Sequence, residues 1–180
     1  MKRFLVGYFF LAISLVLVQA QPLLAGDVLT VTGKIGATNR GAFDAFDDAF
    51  FKHHERTFKK AYAFDRAALK ALPQHQVQAQ VEGWPRAVRA AGPRLSDVLA
   101  MAKVAAGAKL SVMALDGYAA VFEPTDVASR DWIVAIEANG KPLGIGGRGP
   151  AWLMYDTAGK TIKADAEAKW VWSAFMIIAE

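Results

Sequence analysis

Apolar and polar residues alternate along several stretches of the chain, as expected for strands with one buried face. Residues 28–35, Val-Leu-Thr-Val-Thr-Gly-Lys-Ile, alternate in this way and are rich in β-branched side chains. Val77, Ala79 and Val81 alternate with glutamines and predict a second strand. Further strands are predicted at 110–115, 118–122, 132–137, 152–155 and 170–179.

The last predicted strand, 170–179, differs from the others because it is apolar on both faces. Trp170 and Trp172 would lie on one face, while Val171 and Phe175 would lie on the other. Such a strand is typical of the centre of a sheet, so we expect most of its residues in the core. The turn dipeptides that separate most of the predicted strands are Asp116-Gly117, Asn139-Gly140 and Ala158-Gly159.

Phenylalanines recur at helical spacing in one segment. Phe43, Phe46 and Phe50 predict an amphipathic helix whose apolar stripe packs on the core. Contact with a partner is the alternative for this stripe. The carboxylates on the opposite side of this helix, which we expect to be solvated, are Asp44, Asp47 and Asp48.

Two further helices have start and stop signals. Asp65 stands at an N-cap position before a helix-forming segment that Pro73 ends. Another helix is predicted at 95–104, introduced by Gly92-Pro93 and ended by Gly107. Because strands and short helices follow one another in no strict β-α-β order, we predict one α+β domain with a mixed or antiparallel sheet.

The N-terminus has the features of a secretory signal peptide. Lys2 and Arg3 precede an apolar stretch, 4–18, and the small residues Ala20 and Ala25 offer two cleavage points. A retained membrane anchor is the competing interpretation. A spanning helix needs about 20 apolar residues, but this stretch is shorter, because polar residues and a proline follow it. We therefore predict a signal peptide over 1–25, a mature domain over 26–180 and a periplasmic location.

Composition narrows the chemistry of this domain. Lys2 and Arg3 supply two of the four net positive charges, and no concentrated basic stripe suited to nucleic acid is present. The chain contains no cysteine, which excludes disulfides, a thiolate nucleophile and thiolate-bound zinc or iron–sulfur clusters. His53, His54 and Glu55 are adjacent in sequence. Since neighbours on a helix diverge by about 100°, we do not expect them to bind one metal ion.

A series of short motifs follows residue 92 in a particular order. Each motif taken alone is an ordinary turn or strand end. Together they resemble the sulfite-oxidase-like molybdopterin-binding domain, over most of the mature chain and more weakly before residue 84. The motifs are Gly92-Pro93-Arg94-Leu95-Ser96-Asp97-Val98-Leu99, Asp116-Gly117-Tyr118, residues 132–137, Asn139-Gly140-Lys141-Pro142-Leu143, Gly149-Pro150 and Lys169-Trp170.

The resemblance implies a pterin site and places the metal chemistry in doubt. In the enzymes of this family, molybdenum is held by the pterin's dithiolene and by one cysteine thiolate on the loop after the strand that matches 77–81. A soft thiolate suits that metal, yet the corresponding residues here are Glu82-Gly83-Trp84-Pro85-Arg86. We therefore expect a pterin pocket without the family's redox catalysis.

A pocket for a pterin needs an aromatic face, hydrogen-bond donors for the ring and an acceptor for its amino group. The resemblance places Trp84, Tyr118 and Arg148, which lies on a glycine-rich loop, at this pocket. The alternatives are a buried loop anchor, a strand residue and a solvated arginine, respectively. Further ligand-binding candidates are Asn39, Arg40 and Lys169. For these, a plain turn or an outward-pointing side chain is the alternative.

Three functions remain open. The resemblance to short exported members of this fold favours a non-catalytic periplasmic protein that binds a pterin without molybdenum. Such a protein would report its ligand to a transmembrane enzyme that makes or degrades cyclic diguanylate. The second function is a molybdopterin-dependent oxidoreductase of the sulfite oxidase type with an unusual metal ligand. The third is a structural or interaction domain that has kept the fold and lost the ligand.

Overall fold

The computed structural model describes residues 26–180, so the predicted signal peptide lies outside the described residues. The strands of the described part are β1 (Asp27–Gly33), β2 (Ala61–Asp65), β3 (Gln74–Val81), β4 (Val88–Pro93), β5 (Leu110–Ala114), β6 (Ala119–Phe122), β7 (Ile133–Ala135), β8 (Glu137–Ala138), β9 (Lys141–Pro142), β10 (Trp152–Met154), β11 (Thr161–Ile162) and β12 (Ala174–Ala179). The helices are α1 (Ala49–His53), α2 (Arg66–Ala71), α3 (Leu95–Met101) and α4 (Pro124–Ala128), and a 3-10 helix spans Ala164–Glu167. None of these described helices has the length and apolar character needed to cross a membrane.

Two five-stranded sheets and a two-stranded ribbon form the fold. The first sheet has the order β2-β1-β12-β5-β6, in which β1 and β12 are parallel and the other pairs are antiparallel. The second has the order β11-β3-β4-β8-β9, in which β11 and β3 are parallel and the other pairs are antiparallel. The mixed sheets and short helices confirm the predicted α+β class.

The antiparallel ribbon of β7 and β10 lies in the core. Every residue of both strands is buried, and a bridge pairs Ala151 with Ala174 of β12. Gly92 in β4 lies so close to β7 that a Cβ there would be 2.0 Å from the Val134 carbonyl oxygen. This close approach requires a glycine, and it places Gly92-Pro93 at the end of a strand rather than in a turn before α3.

The predicted phenylalanine helix is wrong. Within this segment only α1 is helical. Phe46 of the predicted stripe is 89% exposed, whereas Phe51, which lies outside that stripe, is buried. The reason is a turn in which the Asp44 carboxylate accepts hydrogen bonds from the N–H groups of Phe46 and Asp47 at 2.8 and 3.0 Å. Asp48, expected on a solvated side, is buried and accepts the N–H of Asp44 at 2.9 Å.

The last predicted strand begins later than expected. Ser173 has a φ of 54°, a left-handed conformation that interrupts an extended chain, and β12 starts at the next residue. Trp170 and Trp172 therefore precede the sheet, and Trp172 is 41% exposed instead of buried. β2, β4 and α4 have no counterpart among the predicted elements.

The local capping and turn signals predicted the structure better than these apolar patterns did. The Asp65 cap of α2 is confirmed, because its carboxylate accepts the N–H of Ala68 at 2.6 Å. The predicted turn at Asn139-Gly140 joins β8 to β9, with φ values of 51° and 74°, as a two-residue hairpin loop requires. The helix predicted at 95–104 ends earlier, at Met101.

Candidate functional site

Three tryptophans from separate parts of the chain form the centre of the candidate site. Trp84 lies on the turn after β3, Trp152 lies in β10, and Trp170 follows the 3-10 helix. The ring centroids of 84 and 152 are 5.7 Å apart, those of 84 and 170 are 6.0 Å apart, and those of 152 and 170 are 6.2 Å apart. Tilted and edge-to-face contacts of this kind are favourable for aromatic rings. Trp84 is only partly buried, so it anchors its loop and keeps some accessible surface.

Arg148 covers this aromatic cluster. Its guanidinium carbon lies 4.5 Å from the ring centroid of Trp152 and 5.0 Å from that of Trp84, within the range of cation–π attraction. Its Nη1 is 3.7 Å from Oε1 of Glu167, and the two side chains are 43% and 26% exposed. Because 3.7 Å exceeds a hydrogen-bond distance, the guanidinium is held by charge and ring contacts, and its donors remain available to a ligand.

The backbone fixes the loop that carries Arg148. The Arg148 carbonyl accepts the N–H of Ser173 at 2.9 Å, and the Gly147 carbonyl accepts the Ser173 hydroxyl at 3.2 Å. A Cβ on Gly149 would lie 2.5 Å from the carbonyl carbon of Leu143, so this closure needs a glycine. The glycine-rich loop therefore holds Arg148 at a defined position.

The segment 164–170 brings further predicted residues to the same place. The Tyr118 hydroxyl donates a hydrogen bond to the Ala168 carbonyl. The next residue, Lys169, forms an ion pair with Asp126 of α4. The predicted site residues that lie around this segment are Trp84, Tyr118, Arg148 and Lys169.

The ion pair of Lys169 and Asp126 is part of the frame of the site. The Lys169 ammonium, together with the N–H of Glu123, lowers the pKa of Asp126 below its ordinary value of 3.8. The Asp126 carbonyl also accepts the indole N–H of Trp132 at 3.0 Å. Lys169 is therefore engaged with α4 rather than pointing freely into solvent.

A cavity of about 210 Å³ opens beside Trp170. Its walls include Tyr118 and Trp172, which are 47% and 41% exposed. The carboxyl-bearing residues Asp116 and Glu167 also line it. Two accessible aromatic rings and two hydrogen-bond acceptors thus surround one small space, which we call the ligand cavity.

Three of the residues that line the ligand cavity were missed by sequence reasoning. The apolar run 170–179 predicts a core position for Trp172 and gives no sign of the turn at Ser173. The Asp116-Gly117 dipeptide predicts only a turn. Glu167 belongs to no periodic pattern, and its one signal was its position two residues before the Lys169-Trp170 motif.

The structure places Asn39 and Arg40 in a different region, against β2. The Asn39 amide donates to the Ala63 carbonyl at 2.8 Å and accepts the Ala63 N–H at 2.7 Å, so it pairs with the backbone as a strand residue would. Arg40 forms an ion pair with Asp48, and its guanidinium lies 5.1 Å from the ring centroids of two phenylalanines. These contacts hold the first turn of the chain to β2 and α1.

The histidines do not form a metal site in the described part of the chain. Residues 26–180 contain no group of three His, Asp or Glu side chains that could hold a metal ion. His54 instead stacks edge-on against Phe50, with ring centroids 4.6 Å apart. Its packing is that of an aromatic residue beside the first sheet.

Comparison with known proteins identifies the fold. No protein-family model matches the chain, and no curated protein matches it either. The structure is similar to that of the sulfane dehydrogenase SoxCD from Paracoccus pantotrophus, with a TM-score of 0.54 and 17% sequence identity. The match covers 85% of this chain but only 38% of the SoxCD chain. At this identity the likeness shows a shared fold, and the resemblance expected from the motifs is supported to that extent.

Proposed function

We propose that this protein binds a pterin in the ligand cavity and performs no redox catalysis. The observation that supports this most strongly is the position of Glu167. It borders a cavity with two accessible aromatic rings, and its carboxylate lies 3.7 Å from the Arg148 guanidinium. The cavity lining supplies the aromatic face and the acceptor that a pterin needs, and Arg148, which lies beside Glu167 and outside the lining, supplies the donor.

The edge chemistry of a pterin matches these groups. Its amino group and adjacent ring N–H point in the same direction, so one carboxylate can accept both hydrogen bonds, as it does from a guanidinium. Its carbonyl needs a donor, which the planar fork of Arg148 can supply. Its flat ring can stack on Tyr118 or Trp172, which are both accessible from the cavity.

The size of the ligand cavity favours a small ligand. Its volume of about 210 Å³ is below the range of roughly 300–1,000 Å³ that is usual for drug-sized ligands. The cavity suits a bicyclic ring whose substituent extends into solvent.

The residues of the loop at 82–86 do not suit molybdenum. Glu82 and Arg86 are exposed, Trp84 packs on other tryptophans, and none of these side chains is the soft thiolate that the family's metal site uses. One observation favours the alternative, a molybdopterin-dependent oxidoreductase of the sulfite oxidase type, namely the fold shared with a sulfane dehydrogenase. We derive no step through the metal, because the loop at 82–86 carries no thiolate to hold it.

The role of the bound pterin in this proposal is signalling. The partner that we propose is the periplasmic domain of a transmembrane enzyme that makes or degrades cyclic diguanylate. The support for this is the predicted signal peptide, the absence of cysteine and the resemblance to short exported domains of this fold. A domain that has lost its ligand and acts only through interactions is the remaining alternative.

Anaerobic titration with tetrahydrobiopterin, followed by tryptophan fluorescence, tests the proposal. Trp170 and Trp172 line the ligand cavity, so binding is expected to quench their emission. Glu167→Gln should weaken binding about tenfold or more, because it removes hydrogen bonds to a charged acceptor. The matched control is Asp165→Asn on the same 3-10 helix, whose exposed side chain is not part of the cavity.

The other outcomes select between the alternatives. If neither tetrahydrobiopterin nor an oxidised pterin binds, the ligand-free interaction domain is the better description. If protein purified from its native host contains stoichiometric molybdenum by mass spectrometry, the oxidoreductase is the better description.

A further inference from the structure

A second and larger concavity lies where β1 and β12 of the first sheet begin and β5 ends. Its volume is about 610 Å³, within the range of roughly 300–1,000 Å³ for binding pockets. We call it the acidic groove. The apolar side chains of its walls are Val28, Phe50, Phe51, Leu115, Ile145, Pro150 and Phe175.

Large apolar side chains stand exposed around this groove. Ile145, in its wall, is 80% exposed, and Phe46, next to the lining residue Asp47, is 89% exposed. Phe46 is held outward by a built turn, because the Asp44 carboxylate accepts its N–H at 2.8 Å. Exposed apolar side chains that cluster at a concavity mark an interaction site.

The charge of the groove favours one kind of occupant. Three of its lining residues, Asp27, Asp47 and Asp48, are acidic and one, Arg40, is basic, which leaves a net charge of −2. Arg40 pairs with the buried Asp48 and lies 3.7 Å from the 46% exposed Asp27, so one cation faces two carboxylates, and Asp47 is exposed. The accessible charge at the mouth is therefore negative, with apolar walls below it.

We propose that the acidic groove docks a segment of a partner protein that inserts an apolar side chain and carries lysine or arginine beside it. Such a segment would satisfy both the apolar walls and the carboxylates at the mouth. A second copy of this chain fits less well, because a symmetric contact through the same face would bring two sets of carboxylates together.

The groove and the ligand cavity share one stretch of the chain. Leu115 lines the groove, while Ala114 and Asp116 on either side of it line the cavity. Ile145 belongs to the same glycine-rich loop as Arg148, whose guanidinium faces Glu167. The inference rests on the proposed function in one respect, since it takes the docked segment to belong to the signalling partner.

Peptide selection on the purified protein tests the docking site. A phage-displayed library of random peptides is selected on wild-type protein and, in parallel, on the Phe46→Ser/Ile145→Ser double variant. Wild type should enrich sequences with a large apolar residue next to lysine or arginine, and the double variant should not. A synthetic representative should bind the Phe46→Ser and Asp47→Lys variants at least about tenfold more weakly, and added salt should weaken its binding to wild type.

A matched control uses an exposed apolar residue elsewhere. Val121 in β6 is 45% exposed and does not line the groove, so Val121→Ser should bind the peptide normally. Enrichment of acidic peptides, or enrichment that ignores Phe46 and Ile145, would overturn the proposal. A dimer in analytical ultracentrifugation that Phe46→Ser abolishes would assign the groove to a second copy instead.

Failure of this proposal can be told apart from failure of the proposed function. The Phe46→Ser variant should bind tetrahydrobiopterin with wild-type affinity, because Phe46 does not line the ligand cavity. Glu167→Gln should still bind the selected peptide in the absence of pterin. Peptide binding that survives Phe46→Ser, while Glu167→Gln still weakens pterin binding, would overturn the docking proposal alone. Pterin binding that survives Glu167→Gln, while Phe46→Ser still weakens peptide binding, would overturn the pterin site alone.

Discussion

Two arginines of this protein occupy closely similar surroundings and yet differ in how tightly they are held. Arg40 lies 5.1 Å from the ring centroids of Phe51 and Phe58 and forms an ion pair with Asp48. Arg148 lies 4.5 and 5.0 Å from two tryptophan rings and pairs with Glu167. Each arginine thus has two aromatic rings and a carboxylate, and Arg40 has a second carboxylate, that of Asp27, 3.7 Å from its Nη1.

Burial separates the two arginines. The side chains of Arg40 and Asp48 are 22% and 6% exposed, and Asp48 also accepts a backbone N–H. The side chains of Arg148 and Glu167 are 43% and 26% exposed, and 3.7 Å separates their charged atoms. A saturated, buried pair holds the fold together, whereas an open, loosely paired one can exchange its partner for a ligand. The same residue types therefore serve stability in one region and, in our proposal, binding in the other.

The largest predicted effect is on stability and separates the two arginines directly. Arg40→Met leaves the buried Asp48 carboxylate without its cation, and breaking such a pair costs about 3 kcal/mol. Urea unfolding should show a loss of that size for Arg40→Met and a loss below about 1 kcal/mol for the matched variant Arg148→Met. Equal losses would mean that burial does not distinguish the two sites.

The next effect is on ligand affinity and should fall on the other arginine. Arg148→Met is expected to weaken tetrahydrobiopterin binding about tenfold by isothermal titration calorimetry, because it removes a charged donor. Arg148→Lys should restore only part of the loss, since lysine lacks the planar fork. The control is Arg130→Met, which removes an exposed arginine stacked 5.4 Å from Tyr155. Wild-type affinity in Arg148→Met would show that this arginine is only a surface residue.

The smallest effect concerns a third paired cation, Lys169, and depends on pH. Its partner Asp126 has a lowered pKa, so the pair stabilises the fold above the ordinary aspartate value of 3.8, and that contribution is lost as the pH falls below it. Lys169→Met should lower the thermal midpoint slightly at pH 7 and flatten its fall between pH 4 and pH 2. A pH profile identical to that of wild type would show that the ion pair contributes nothing.

Local sequence signals predicted much of the fold. Alternation located β1, β3, β5 and β6, and the Asp65 cap located α2, because these features depend on residues close in sequence. The order of the turn motifs indicated the fold, and the SoxCD likeness is consistent with it. The prediction of a phenylalanine helix was wrong, because residue spacing alone does not reveal a turn that the Asp44 side chain stabilises by accepting two backbone N–H groups.

The candidate site was less accessible to sequence reasoning because its geometry depends on distant pairs. The sequence singled out both Arg40 and Arg148, but it could not show that one is paired with a buried aspartate and the other with a partly exposed glutamate. Glu167 belongs to no sequence pattern, and its place in the site is recognisable only because the fold brings it beside Tyr118 and Trp172. The different burial of the two ion pairs and the position of Glu167 in the cavity both arise from tertiary contacts.

The most direct test of the central claim is a crystal structure of the protein grown anaerobically with tetrahydrobiopterin. We predict a pterin ring against Tyr118 or Trp172, with its amino edge on the Glu167 carboxylate and its carbonyl within reach of Arg148. A ring bound against Arg40 in the acidic groove, or an empty ligand cavity at saturating pterin, would contradict it.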